Sequence, residues 1–132
     1  MKSGRRIHSR GSASVEFALV LPLVLVVGLA LLQVALFAKD QLILQEAARA
    51  GARQAAVSQD AGSVRAAVTA AAATLDLSRI GVAVDRAPAS DGPVTVTVTY
   101  LAPIAVPIVR WLFPSQVRLT ARATMRQEEG GP

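Results

Sequence analysis

Between Phe17 and Ala38 the chain runs 22 residues without a charged side chain, and no other feature limits its possible folds so strongly. At the helical rise of 1.5 Å per residue this run makes a rod of about 33 Å, enough to cross the roughly 30 Å hydrocarbon layer of a bilayer. Lys2, Arg5, Arg6 and Arg10 precede it with no acid among the first eleven residues, whereas Lys39 just after it is offset by Asp40. That asymmetry keeps the N-terminus in the cytoplasm and exports the residues from 39 onward. A cleaved secretory signal has the same polarity, but its apolar core is typically about 7–15 residues long. The small-residue exit available here, Leu36-Phe37-Ala38, also puts leucine where a small side chain is wanted. The expectation is a retained single-pass anchor over residues 17–38.

With 132 residues in all, the remainder can build one small domain. The net charge of +5 invites a nucleic-acid reading, but four of the fourteen basic residues lie in the leader, leaving ten against nine acids. No basic patch with interleaved aromatics survives that subtraction, so no nucleic-acid partner is expected. Anionic lipid and topology account better for the leader. There is no cysteine, so an exported domain this small must draw stability from a partner or from the long helix itself rather than from disulfides.

From Lys39 to Val57 there is no proline, and Gly51 is the only glycine in a segment rich in Ala, Leu, Gln, Glu and Arg. These are strong helix formers. One continuous helix is therefore expected from Ser12 to Val57, about 70 Å long, its first half in lipid and its second half a stalk. In the stalk Ala47, Gly51 and Ala55 recur every four residues, and Ala48, Ala52 and Ala56 repeat the pattern one position on. Small residues at this spacing let another backbone approach closely, although alanine also serves simply as a helix former. Glu46 can pair with Arg49, and Arg49 and Arg53 share a face as solvated, locally paired or contact-making charges.

Ser58 to Ser63 is a cluster of turn formers. A short amphipathic helix follows, from Ala61 or Ser63 to Leu75, with Val64, Ala67, Val68, Ala71 and Leu75 at helical spacing. From Arg79 the period becomes two. Ile80, Val82 and Val84, then Val94, Val96, Val98 and Tyr100, then Val117, Leu119, Ala121, Ala123 and Met125 each alternate with small or polar residues, predicting three half-buried antiparallel strands. Ala87 to Pro93 closes a hairpin, and Pro103 to Pro114 is a longer connection. In that connection Ile108, Val109, Trp111, Leu112 and Phe113 fit either a cap beneath the sheet or a lip at the membrane interface or on a partner. The fold class is α+β: a long N-terminal transmembrane helix continuing into a stalk, a second short helix and a small three-stranded antiparallel sheet. The domains are a leader (1–11), the long helix (12–57), an exported head (58–127) and a disordered tail (128–132).

No enzymatic constellation is visible. His8 is the only histidine, and there is no thiol, no phosphate-binding loop and no HExxH, while the aspartates of the head are scattered. No catalytic residue, metal, cofactor or small-molecule substrate is expected. The group that demands an account is Glu16, set directly against Phe17-Ala18-Leu19-Val20-Leu21. A carboxylate in the first turn of a helix gains about 0.3–1 kcal/mol from the macrodipole, but beside a lipid-buried run it needs a paired cation. A cut after Gly11 would create that cation as a new α-amino group on Ser12.

The leader ending Arg10-Gly11, followed by Ser12-Ala13-Ser14-Val15-Glu16-Phe17-Ala18-Leu19-Val20-Leu21-Pro22, resembles the processing site and membrane helix of type IV pilin-like proteins. Within them it resembles the TadE-like pseudopilins of the tight adherence (Tad or Flp) pilus system. Gln45 to Ala56 resembles the second half of the same signature, in register with the first. The resemblance implies cleavage between Gly11 and Ser12 by a membrane prepilin peptidase. It implies that the motif Glu16, Phe17 and Pro22 serves processing and assembly, with Glu16 aligning subunits as the fifth residue of the mature chain. It further implies partners among pilin or pseudopilin subunits and the Tad assembly platform in the bacterial cytoplasmic membrane. The size of the head suits a minor component of the pilus or of a related secretion system. Two rival expectations remain: a single-pass anchored extracytoplasmic binding domain without prepilin processing, and a secreted protein cut near Ala38.

Overall fold

The computed structural model describes residues 8–128. Lys2, Arg5 and Arg6 of the leader and residues 129–132 of the expected tail lie outside them. The elements are α1 (His8–Val57), α2 (Ala61–Ala71), β1 (Ile80–Arg86), β2 (Pro93–Ala102) and β3 (Val117–Arg126), with 3-10 turns at Leu77–Arg79 and Pro107–Leu112. This is the α+β architecture expected from the sequence. α1 is a single helix of 50 residues, about 75 Å long, and begins upstream of the expected Ser12. Glycine costs a helix only about 1 kcal/mol relative to alanine, and Ser14 Oγ donates to the Arg10 carbonyl at 3.1 Å. Gly11 is therefore carried inside the first turns rather than ending them.

The outer half of α1 is the floor of the head. Leu44, Ala47, Ala48, Ala52 and Ala55 are buried along one stripe, against Val64 and Val68 of α2 and Val94, Val96 and Val98 of β2. Small side chains are required there because two elements approach the same helix. A Cβ on Gly51 would stand 2.6 Å from Val68 Cγ2 and 3.1 Å from Val96 Cγ1. The sheet order is β1-β2-β3, antiparallel throughout, with Val84, Val96 and Ala123 in register. β2 keeps its alternation along its length, Val94, Val96, Val98, Tyr100 and Ala102 all being buried. β1 does not: Ile80 is buried, Val82 half-buried and Val84 exposed. The cause is that α1 lies under β2 and β3, while α2 packs mainly on α1 and reaches β1 only lightly.

The junctions follow from backbone groups that need partners. Asp60 caps α2, its carboxylate accepting from the amides of Gly62 (3.2 Å) and Ser63 (2.9 Å). α2 ends at Ala71, short of the expected Leu75; the chain turns through the Leu75 amide donating to the Ala72 carbonyl, which drops Leu75 into the core. Asp76 opens the first 3-10 turn. Its carboxylate accepts from the Ser78 hydroxyl and amide and faces Arg79, and these hydrogen bonds, ahead of the Arg79 charge, hold its pKa below the usual carboxylate value.

At the C-terminal end of α1 the carbonyls are taken up by distant parts of the chain. Arg86 of β1 donates through Nη1 to Ala55 O (2.7 Å) and through Nη2 to Ser58 O (2.8 Å). The Glu128 amide donates to Ala56 O at 3.0 Å, and the Gln127 amide to Gly92 O at 3.0 Å. Glu128, expected at the start of a disordered tail, is thus tied to the helix, because the last turn of α1 offers acceptors that nothing local satisfies.

Two outcomes follow for stability. Gly51→Ala overpacks the α1–α2–β2 contact, at about 1–3 kcal/mol, more than the ~1 kcal/mol that alanine returns to a helix. Gly28→Ala meets no neighbour within 4 Å and keeps that helical gain, so denaturation of the detergent-solubilised chain should give the two variants opposite signs. Arg86→Leu strips one charge-assisted bond from the last turn of α1 and one from Ser58 just after it, each worth about 1.5–3 kcal/mol. It should lower the unfolding midpoint and speed amide exchange around Ser58.

Candidate functional site

The N-terminal half of α1 has a surface unlike the rest of the molecule. Val15, Phe17, Leu19, Leu21, Leu23, Val24, Leu25 and Val27 all point into open surroundings, with Phe17 65% and Leu19 73% exposed. α1 is the one helix among the described residues long and apolar enough to cross a membrane, with a mean hydropathy of 2.8 over its most apolar window. A helix apolar all round and touched by nothing in its own chain needs lipid or other helices as solvent. Pro22 lies within this stretch; it cannot donate to the Ala18 carbonyl, which leaves a local point of weakness in the ladder.

The residues singled out by sequence fall into two groups. Gly11, Ser12, Glu16, Phe17 and Pro22 lie together on this free segment, all exposed, and a side chain at position 11 would meet nothing within 4 Å. Because α1 is already helical at His8, the first described residue, Glu16 stands more than two turns inside it. The macrodipole account of Glu16 therefore does not apply to the helix as it stands. Ala47, Ala48, Gly51, Ala52 and Ala55 do promote a close approach, but the backbones that approach are the chain's own α2 and β2. Glu46 and Arg49 form an exposed pair at 2.9 Å, worth little by itself, and Arg53 is exposed on the same face.

The site that sequence reasoning missed is Gln33. It is the one polar side chain between Phe17 and Ala38, and that singularity was the available signal. Its side chain is 0% exposed. Gln33 Oε1 accepts the Val106 amide at 3.0 Å, and its Nε2 is buried with no protein partner among the described residues. One turn on, Phe37 meets Phe113 edge to face, the ring centroids 5.9 Å apart at 81°. The Pro103–Pro114 connection is thus pinned to α1 within the expected membrane span. It is only in part a cap for the core. Val109 is buried, but Trp111 is 74% exposed and Ile108 and Leu112 are exposed beside it, because pinning the backbone at Gln33 and Phe37 turns these three side chains outward.

Against that geometry the comparison with known families is specific: residues 11–53 match the family model described as TadE-like protein. The match falls wholly within the long helix. The TadE-like segment opens at Gly11, takes in Glu16 and Pro22, and closes at Arg53, within the stripe that floors the head. It ends before α2 and the sheet. No curated protein and no solved structure matches the chain. The described residues hold no cluster of His, Cys, Asp or Glu that could bind a metal ion.

Truncating Gln33 tests the pin. Gln33→Ala leaves the half-buried Val106 amide without its acceptor, at about 1–3 kcal/mol. Tryptic cleavage after the exposed Arg110 should become faster in detergent-solubilised protein, while cleavage elsewhere in the head stays unchanged.

Proposed function

We propose that the chain is a minor pseudopilin or assembly component of a Tad (Flp) type IV-like pilus or a related secretion system. In this reading it is structural rather than catalytic and takes no cofactor. It sits in the cytoplasmic membrane with its N-terminus inside and its head outside. The observation that carries the reading is that the TadE-like match begins at Gly11, on a helix segment that its own chain leaves bare.

The proposed processing is a hydrolysis. A prepilin peptidase adds water across the Gly11–Ser12 peptide bond, leaving a carboxylate on Gly11 and an α-amino group on Ser12. That bond lies in a stretch of α1 that is exposed on every side, and local opening costs little where few contacts are buried, so a peptidase can draw it into an extended conformation without disturbing the head. Open space around Gly11 leaves room for an enzyme to approach. After the cut Glu16 becomes the fifth residue of the chain. There its carboxylate can meet the new ammonium group, of this subunit or a neighbour, where water is scarce and an ion pair is least screened.

The bare segment is the surface on which helices of other pilin subunits would pack, small and branched side chains supplying van der Waals contact in lipid. From Gln33 onward one face of α1 is occupied by the chain's own head, which restricts the neighbours it can accept. Such restriction suits a minor subunit at a defined position better than a repeating one.

N-terminal sequencing of the membrane-bound protein from its host tests the reading. The expected start is Ser12, and a start near Met1 would leave only an anchored binding domain. Gly11→Leu should retain the leader. Glu16→Ala should insert and be processed normally yet fail to support pilus formation; pili at the normal level with Glu16→Ala would refute the assembly role.

A further inference from the structure

We propose that the Pro103–Pro114 connection is a second membrane contact, a lip that seats Ile108, Trp111 and Leu112 in the outer interface of the same bilayer that α1 crosses. The inference rests on the reading of α1 as a membrane span and adds to it where the span ends and what marks its end.

The starting point is depth. Gln33 lies six positions, about 9 Å along the axis, before Lys39, the first charge after the apolar run. Val106 is bonded to Gln33, and Phe113 meets Phe37 edge to face, so the connection is held at both of these points level with residues that sequence alone puts in hydrocarbon. Its backbone is irregular, with a single 3-10 turn. Irregular backbone facing lipid is not tolerated in the hydrocarbon region. The outer hydrocarbon boundary therefore lies near Gln33 rather than at Ala38. The span moves toward the N-terminus, and Ser12 to Leu32 supplies about 31 Å of helix for the roughly 30 Å layer.

With the boundary at Gln33, the side chains of the connection match the interface. Its one charge is Arg110. Ile108 and Leu112 are exposed and apolar, and Trp111 is 74% exposed, an arrangement unfavourable in water but favoured at headgroup level, where tryptophan is enriched. Such segments bury their apolar side about 5–10 Å into the headgroup and acyl boundary. Arg110 also lines a hollow with Arg79, Pro103, Ile104, Ser115 and Gln116. Arg79 is paired with Asp76 at 3.3 Å, which leaves Arg110 as the cation of this hollow free to meet lipid phosphate. The contact fixes the head against the membrane plane on two points, the helix and the lip, so the head cannot swing freely about α1.

Trp111 is the only tryptophan, so its fluorescence reads the lip alone. The full chain is reconstituted into phosphatidylethanolamine–phosphatidylglycerol vesicles and first extracted with carbonate. Release from the vesicles would overturn the anchor reading and this inference with it. For retained protein the expected result is blue-shifted Trp111 emission, quenched by lipids brominated near the headgroup and weakly by aqueous acrylamide. An Ile108→Ser/Leu112→Ser variant should shift that balance toward acrylamide. Retained protein whose Trp111 is fully open to acrylamide would overturn the lip while leaving the anchor standing. Emission shielded from both quenchers would also overturn it, and would mean that protein, not lipid, covers the lip.

Discussion

The head depends on one contact, the approach of α2 and β2 to α1 over Gly51. With Val68 Cγ2 only 2.6 Å from where a Cβ would stand, any larger residue would push α2 or the sheet off the helix. The flanking alanines extend the same close approach along several turns. A sheet of three strands with one α-helix of 11 residues cannot enclose a core of its own. It becomes stable by borrowing half of a 50-residue helix as its floor. The absence of cysteine is consistent with that economy: the long helix brings to the head a surface whose backbone is already ordered by its own hydrogen bonds.

Along α1 the hydrophobic character hardly changes, but the meaning of a buried stripe does. Up to about Gly28 the helix is exposed on nearly all sides, and its solvent must be lipid or other helices. Beyond Lys39 it is a floor for side chains from β2, β3 and α2. Gln33 and Phe37 mark the passage between the two regimes, where the helix is still apolar in composition but already engaged by the chain's own connection. A buried amide oxygen in such a place costs free energy unless it is bonded, and Gln33 Oε1 is bonded. Its hydrogen bond to Val106 therefore sets the position of the connection more sharply than the apolar contacts around it could.

Much of the fold was legible because the patterns were strong. An uncharged run of 22 residues, a strand alternating over Val94 to Tyr100, and a cluster of turn formers from Ser58 to Ser63 each report a local requirement of the backbone. What was not legible is tertiary. Arg86 reads as an ordinary strand charge, and only the fold brings it to the carbonyls of Ala55 and Ser58. Glu128 reads as tail, and only the end of α1 gives its amide an acceptor. Val84 continues a correct alternation yet is exposed, since period reports which way a side chain points and not whether anything lies there. The small-residue stripe was legible as a place of close approach, but the sequence could not say whose backbone approaches. Of the candidate site, the motif from Gly11 to Pro22 was visible in full, whereas Gln33 was hidden by the apolar residues that make the span obvious.

The start of α1 bears on why a leader and a carboxylate should be coupled at all. With α1 already helical at His8, Glu16 is at least two turns from any N-terminal partial charge, which fades within about one turn and is worth about 0.3–1 kcal/mol there. Removing residues 1–11 would change two things at once. The helix would begin at Ser12, bringing its unsatisfied amides within a turn of Glu16, and a full positive charge would appear at its end. Both changes favour the carboxylate in the same place and at the same moment. Under the proposed processing, an acid at this position would be poorly supported before the cut and well supported after it, so that one peptide-bond cleavage would turn Glu16 from a group in search of a cation into half of an ion pair.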